Sequence, residues 1–167
     1  TNPLNSFNTI MSFSNKSIHI VSFNIPFPAD YGGVIDVFYK IKALSELGII
    51  IHLHCFFHHR SFSKTLESLC ESVNYYPRET GFLKQLSKTP FIVSSRNSRL
   101  LLHRLSEKTC QILFEGIHTT AVLNSDSSLE IRSSIRTHNV EHHYYKHLML
   151  AESNFFKRTY LYLESKK

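Results

Sequence analysis

The sequence has no tryptophan, and only three cysteines, five glycines and five prolines in 167 residues. Cys55, Cys70 and Cys110 are odd in number, widely spaced and form no C-x-x-C pair. This excludes a disulfide framework and a cysteine-based zinc site, and leaves three small hydrophobes suited to a reduced compartment. No apolar run reaches the ~20 residues needed to span a bilayer. The longest candidate, "GIIIHLHCFF", contains two histidines. The first seventeen residues are rich in Asn and Ser and lack the charged start and apolar centre of a signal peptide. Residues 1–17 are read as a flexible leader, and a cytoplasmic protein is expected. Acidic residues are also in short supply. Thirteen Asp and Glu face nineteen Lys and Arg, a formal charge of +6. Such a balance favours anionic partners: nucleotide phosphates, acidic lipid headgroups or nucleic acid. The chain carries no RNA-recognition or helix-turn-helix pattern, so nucleic acid rests on charge alone and is set aside.

What is present suits one folded domain, since 42 % of the residues are hydrophobic. "IHIVSFNI" (18–25) is a short apolar run stopped by Pro26 and Pro28. From Gly33, the residues Val34, Val37, Phe38, Ile41, Leu44 and Leu47 recur at steps of three and four, which marks one helix face. Gly48 stands where a helix end favours positive φ. "IIIHLHCF" (49–56) is the next strand, completing a β-α-β unit. Further elements are expected as a helix near 63–71, a strand at 72–76, helices around 81–88 and 97–107, and strands at 111–115 and 132–138. A long helical stretch from about 140 to 167 closes the series. The expected fold is α/β: an open, mainly parallel, Rossmann-like sheet with helices on both faces. Ligands of such sheets bind beyond the carboxyl ends of the strands.

Three strand-end segments carry candidate chemistry. In "PFPADYGGVID" (26–36), Gly32 and Gly33 open the first helix, where free N–H groups and the helix dipole favour an anion. The same pair serves equally as a plain tight turn, since neither G-x-G-x-x-G nor a P-loop lysine is present. In "ILFEGIHTT" (112–120), Glu115 and His118 flank a glycine and could bind hydroxyls or handle a proton. The alternative is a helix start capped by Thr119 or Thr120, with His118 merely exposed.

The third segment is "RTHNVEHHYYKH" (136–147), in which His138, Glu141 and His142 spell H-x-x-E-H, the inverted zinc-hydrolase order. Zinc requires both histidines on one helical face plus a third protein ligand. If His138 ends a strand, the two imidazoles no longer converge. Glu152 and Glu164 are the only acids downstream, on the same helical stretch. No metal is therefore assigned, and His142, His143 and His147 are read as a solvated helix face.

Together, "PFPADYGGVIDVFYKIKALSELG", "ILFEGIHT" and "RTHNVEHHYYKHL" resemble the N-terminal half of GT-B glycosyltransferases, retaining family 4, the group of bacterial mannosyl- and glucosyltransferases. The resemblance covers residues 18 to 167. It implies an N-terminal, acceptor-binding Rossmann-like domain whose donor-binding partner domain is missing here, so this fragment is expected to be inactive alone. The implied reaction moves a hexosyl group from a UDP- or GDP-linked nucleotide sugar to a saccharide or lipid-linked acceptor. Retention of configuration and no metal or other cofactor are implied. Carried over by position, Gly32 and Gly33 would face the donor phosphates, and Glu115, His118, His138, Asn139 and Glu141 would bind the acceptor. No catalytic residue is assigned, because in retaining members the leaving phosphate is often proposed as the base. Many relatives have a histidine where this sequence has Glu115.

The segment 84–108 holds Lys84, Lys88, Arg96, Arg99, Arg104 and Lys108 against the single acid Glu107. With Leu100, Leu101 and Leu105 as an apolar stripe, it could dock on an anionic membrane. A core-packed helix with a solvated basic face explains the same pattern. The rival to a transferase is a non-catalytic sugar- or nucleotide-binding module.

Overall fold

The computed structural model describes residues 16–85, 87–137 and 141–167. The sheet is built from β1 (Ser17–Ser22), β2 (Ile50–Phe57), β3 (Ser72–Pro77), β4 (Gln111–Glu115) and β5 (Ser133–Arg136). All pairings are parallel and the spatial order is β3-β2-β1-β4-β5. The helices are α1 (Gly32–Glu46), α2 (Lys64–Leu69), α3 (Phe82–Gln85), α4 (Phe91–Ser94), α5 (Arg99–Glu107), α6 (Glu141–Ala151) and α7 (Phe155–Glu164). Two 3-10 runs, Ile117–Asn124 and Ser127–Arg132, carry the chain from β4 to β5. The expected open parallel α/β sheet is thus observed.

Strand alternation sorts the core into two layers. Ile20, Ile51, Leu53 and Cys55 pack with Val37 and Ile41 of α1 and Leu66 of α2. Val21, Phe56, Tyr76, Ile112 and Phe114 pack with Leu101 and Leu105 of α5 and with Val122 and Leu129 of the 3-10 runs. Leu101 and Leu105 are fully buried, each contributing ~1.5–3 kcal/mol of apolar burial. Only Leu100 of the anticipated stripe is exposed, so α5 turns its apolar side to the sheet.

Several boundaries differ from the sequence expectation for local polar reasons. β1 ends at Ser22 rather than residue 25, because Ser22 Oγ donates to Asn24 O (2.6 Å) and Asn24 Oδ1 accepts from Ile25 N (2.9 Å). These bonds turn the chain out of the ladder. The closing helix is two helices, because Asn154 caps α7 by accepting from Lys157 N at 3.1 Å. The two helices pack against each other. Glu164 on α7 is 3 % exposed and accepts from the backbone N–H of Phe91 (2.8 Å), tying α7 to the start of α4.

The α5 side of the sheet also buries three histidines, His19, His52 and His54, at 2 %, 4 % and 1 % exposure. Lys108 O lies 3.1 Å from His19 Nε2, so that nitrogen must carry the proton. His19 Nδ1 then accepts from His54 Nε2 at 3.0 Å, and His54 Nδ1 accepts from Tyr76 O–H at 2.8 Å. His52 Nε2 accepts from Lys108 Nζ (3.3 Å) and its Nδ1 donates to Ser72 Oγ (2.9 Å). The run of bonds requires all three imidazoles to be neutral. Burial holds His54 down to about 3 and His19 to about 4, and lowers His52 as well.

Candidate functional site

The carboxyl ends of β1 and β4 meet at a cluster centred on Phe23. Its ring lies 5.5 Å from that of His118, and Arg96 Nε donates to its carbonyl at 3.0 Å. Gly33 lies against the same ring: a Cβ there would stand 2.8 Å from Phe23 Cζ. Gly33 is therefore required for packing, whatever its role towards a ligand. Gly32 is exposed, and a Cβ on it would meet nothing within 4 Å. α1 begins after Tyr31 with no side-chain cap and no acid in its first turn, which keeps this helix start receptive to an anion.

Gly116 sets the second half of the cluster. Its φ of +81° belongs to glycine, and its N–H donates to Arg136 O at 2.7 Å across the end of β5. A Cβ at Gly116 would stand 2.5 Å from His118 Nδ1, so this glycine lets the imidazole fold back against the strand exit. Neither Thr119 nor Thr120 caps the run that follows. Their hydroxyls donate back to Gly116 O (3.0 Å) and Ile117 O (2.8 Å). His118 is 17 % exposed at its side chain, and its Nε2 lies 3.5 Å from Glu141 Oε1, itself 11 % exposed.

The expected site residues therefore divide. Gly33 and His118 lie against Phe23, and Glu141 lies against His118. Glu115 is fully buried, with Lys40 Nζ of α1 donating to its Oε1 and Arg136 Nη1 3.7 Å from its Oε2. Asp36 joins this set, 3.6 Å from Lys40 Nζ and paired with Arg136. Two acids and two bases balance there, which makes Glu115 a tie between α1, β4 and β5. His138 and Asn139 lie outside the described residues. His142, His143 and His147 are exposed on α6, and the rings of the first two lie 4.2 Å apart. Among the described residues, no group of three or more His, Cys, Asp or Glu is placed to hold a metal ion.

Phe23 and Arg78 were not foreseen, and Arg96, expected on the basic surface of segment 84–108, is buried instead. Phe23 stands just past a strand end, where the strand-exit rule points, but its apolar type drew attention to the core instead. Arg96 comes from a turn 73 residues away and carries no local signal. It is 6 % exposed, and burial together with neighbouring Arg78 lowers its pKa to about 9, so it remains cationic at neutral pH. Arg78, just after β3, is also lowered by burial; its Nη2 donates to Ser95 Oγ at 3.3 Å. The cluster thus offers an imidazole, a carboxylate, an aromatic edge and two guanidiniums, a set that hydrogen-bonds hydroxyl groups and attracts anions.

The chain is 31 % identical over 156 residues to a protein of Klebsiella pneumoniae named as an uncharacterized 44.6 kDa protein in the cps region. The match takes in 88 % of this chain and 39 % of that protein, so the chain spans about two fifths of its relative's length. No family model matches the sequence. No solved structure matches it. Among the described residues, no helix is long and apolar enough to cross a membrane.

Proposed function

We propose that this chain is the acceptor-binding part of a glycosyltransferase of the GT-B, retaining family 4 kind that acts in capsule-type polysaccharide biosynthesis. The observation that carries the proposal is the contact of His118 with both Glu141 and Phe23 at the carboxyl edge of the sheet. This is where an open α/β sheet receives its ligand. The similarity to a protein of a capsule (cps) region supports a role in building surface saccharides.

On this reading the chain binds one acceptor hydroxyl by hydrogen bonds to His118 and Glu141. The ring of Phe23 limits water on one side. Phosphate oxygens of a UDP- or GDP-linked hexose approach the exposed start of α1 at Gly32 and Gly33, where backbone N–H groups and the helix dipole stabilise the departing diphosphate. Residues of the same protein outside this chain hold the rest of the donor. The location proposed is the cytoplasm, with peripheral contact at an anionic membrane made by the basic side of α5.

The test is nucleotide release. Intact protein is incubated with UDP- and GDP-hexoses and a capsular oligosaccharide extract. Acceptor-dependent release of UDP or GDP is expected, lowered at least tenfold (on the order of 1.4 kcal/mol) by His118→Ala at unchanged folding. Binding of nucleotide sugar with no release under any acceptor would replace the transferase by a binding module.

A further inference from the structure

We infer that Arg78 and Arg96 form a receptor for a negatively charged substituent on the acceptor saccharide, a carboxylate or a phosphate. The inference rests on the acceptor-binding reading of the neighbouring cluster and specifies which acceptors that cluster takes.

Arg96 is 6 % exposed, yet both of its assigned hydrogen bonds go to neutral carbonyls, Phe23 O (3.0 Å) and Ile92 O (2.7 Å). Arg78 is half-buried and donates to the neutral hydroxyl of Ser95, while its Nε is buried without a hydrogen-bond partner. Among the described residues, no carboxylate lies within ion-pair distance of either guanidinium. Glu141 is the carboxylate whose field favours the Arg96 cation, and it lies 3.5 Å from His118.

Two desolvated like charges side by side are costly, and a buried cation normally recovers that cost through an anion. Arg136 follows this rule with Glu115 and Asp36, and Arg60 with Asp30, whereas half-buried Arg132 donates to three backbone carbonyls. The Arg78–Arg96 pair departs from it at the ligand edge of the sheet. Arg96 is anchored to the backbone of Phe23, whose ring touches His118. An anion held by Arg78 would therefore sit at the same edge of the sheet as the proposed hydroxyl-binding pair. Arg96 positions Phe23 and supplies field, whereas Arg78 has donors left to contact the ligand. A guanidinium fork matches carboxylate and phosphate oxygens equally well.

The experiment is calorimetric titration of the chain with glucose, glucuronate and glucose 1-phosphate at low salt. Wild type, Arg78→Gln and Arg78→Lys are compared, with circular dichroism confirming the fold of each. One or both anionic sugars are expected to bind about tenfold or more tightly than glucose. Arg78→Gln removes that preference, and Arg78→Lys retains part of it. The anion that binds identifies the source as carboxylate or phosphate. Equal affinity for all three sugars, no binding of any, or a preference surviving in Arg78→Gln each overturns the inference. Acceptor-dependent nucleotide release in the intact protein would still stand in those cases, so the two readings fail separately.

Discussion

Acidification is expected to destabilise this protein already above the carboxylate range, because the buried histidines can accept no proton without losing a bond. His19 and His54 have folded pKa values of about 4 and about 3 against 6.5 for a free imidazole. Burial is the main cause for both. The Lys108 carbonyl favours protonation of His19, whereas His52, Arg132 and the Lys108 ammonium oppose it; His19, His52 and Arg104 oppose that of His54. The unfolded chain therefore binds more protons than the folded one below pH 6.5. Stability is complete above that value and declines as the pH falls towards the folded values. At about pH 5 each histidine forfeits ~2 kcal/mol, because one unit of pKa depression is worth ~1.4 kcal/mol. The two share a hydrogen bond, so the joint loss is ~2–4 kcal/mol, a large part of a typical domain stability of ~5–15 kcal/mol. Urea unfolding at about pH 7, 6 and 5 measures the loss directly. The imidazole proton resonances report the folded titration. A urea midpoint that stays level over this range, or imidazoles titrating near 6.5 in the folded protein, would refute the all-neutral chain from Tyr76 to Lys108.

Other perturbations have equally definite outcomes. Lys40→Met deprives fully buried Glu115 of its ammonium partner and should cost ~3 kcal/mol in denaturant unfolding; a loss under ~1 kcal/mol would mean that Glu115 is not held as described. Gly33→Ala drives a methyl into Phe23 and should lower stability by ~1–3 kcal/mol, with a change in the Phe23 ring resonances. Gly116→Ala combines a strained positive φ with a clash against His118. It should displace the imidazole and weaken saccharide binding more than His147→Ala, which alters only an exposed residue of α6. Leu105→Ala on α5 should cost ~2–5 kcal/mol, as expected for a fully buried leucine.

The α/β class, the parallel sheet and the core side of α1 follow from local pattern. Residues 34, 37 and 41 repeat at helical spacing, and β2 alternates in a way that one buried strand must satisfy. Gly48, at φ +74°, likewise stands where a helix-ending residue was anticipated. Candidate chemistry at strand ends was legible for the same reason: in a parallel sheet every strand delivers its last residues to one edge. Chain order could not say how those residues are used. Glu115 and His118 are three apart, yet one is sealed by Lys40 and Arg136 while the other turns to Glu141. The histidines of β2 look like interruptions of an apolar run until His19 and Tyr76 arrive from neighbouring strands to complete their bonds. Arg96 looks like one member of a basic surface until Phe23 O receives it, 73 residues away. Periodicity is a property of neighbours along the chain, so sequence alone determined the elements and the edge where they converge. Charge pairing, burial of polar rings and close approach at glycine depend on partners distant in sequence, and only the tertiary structure decided those.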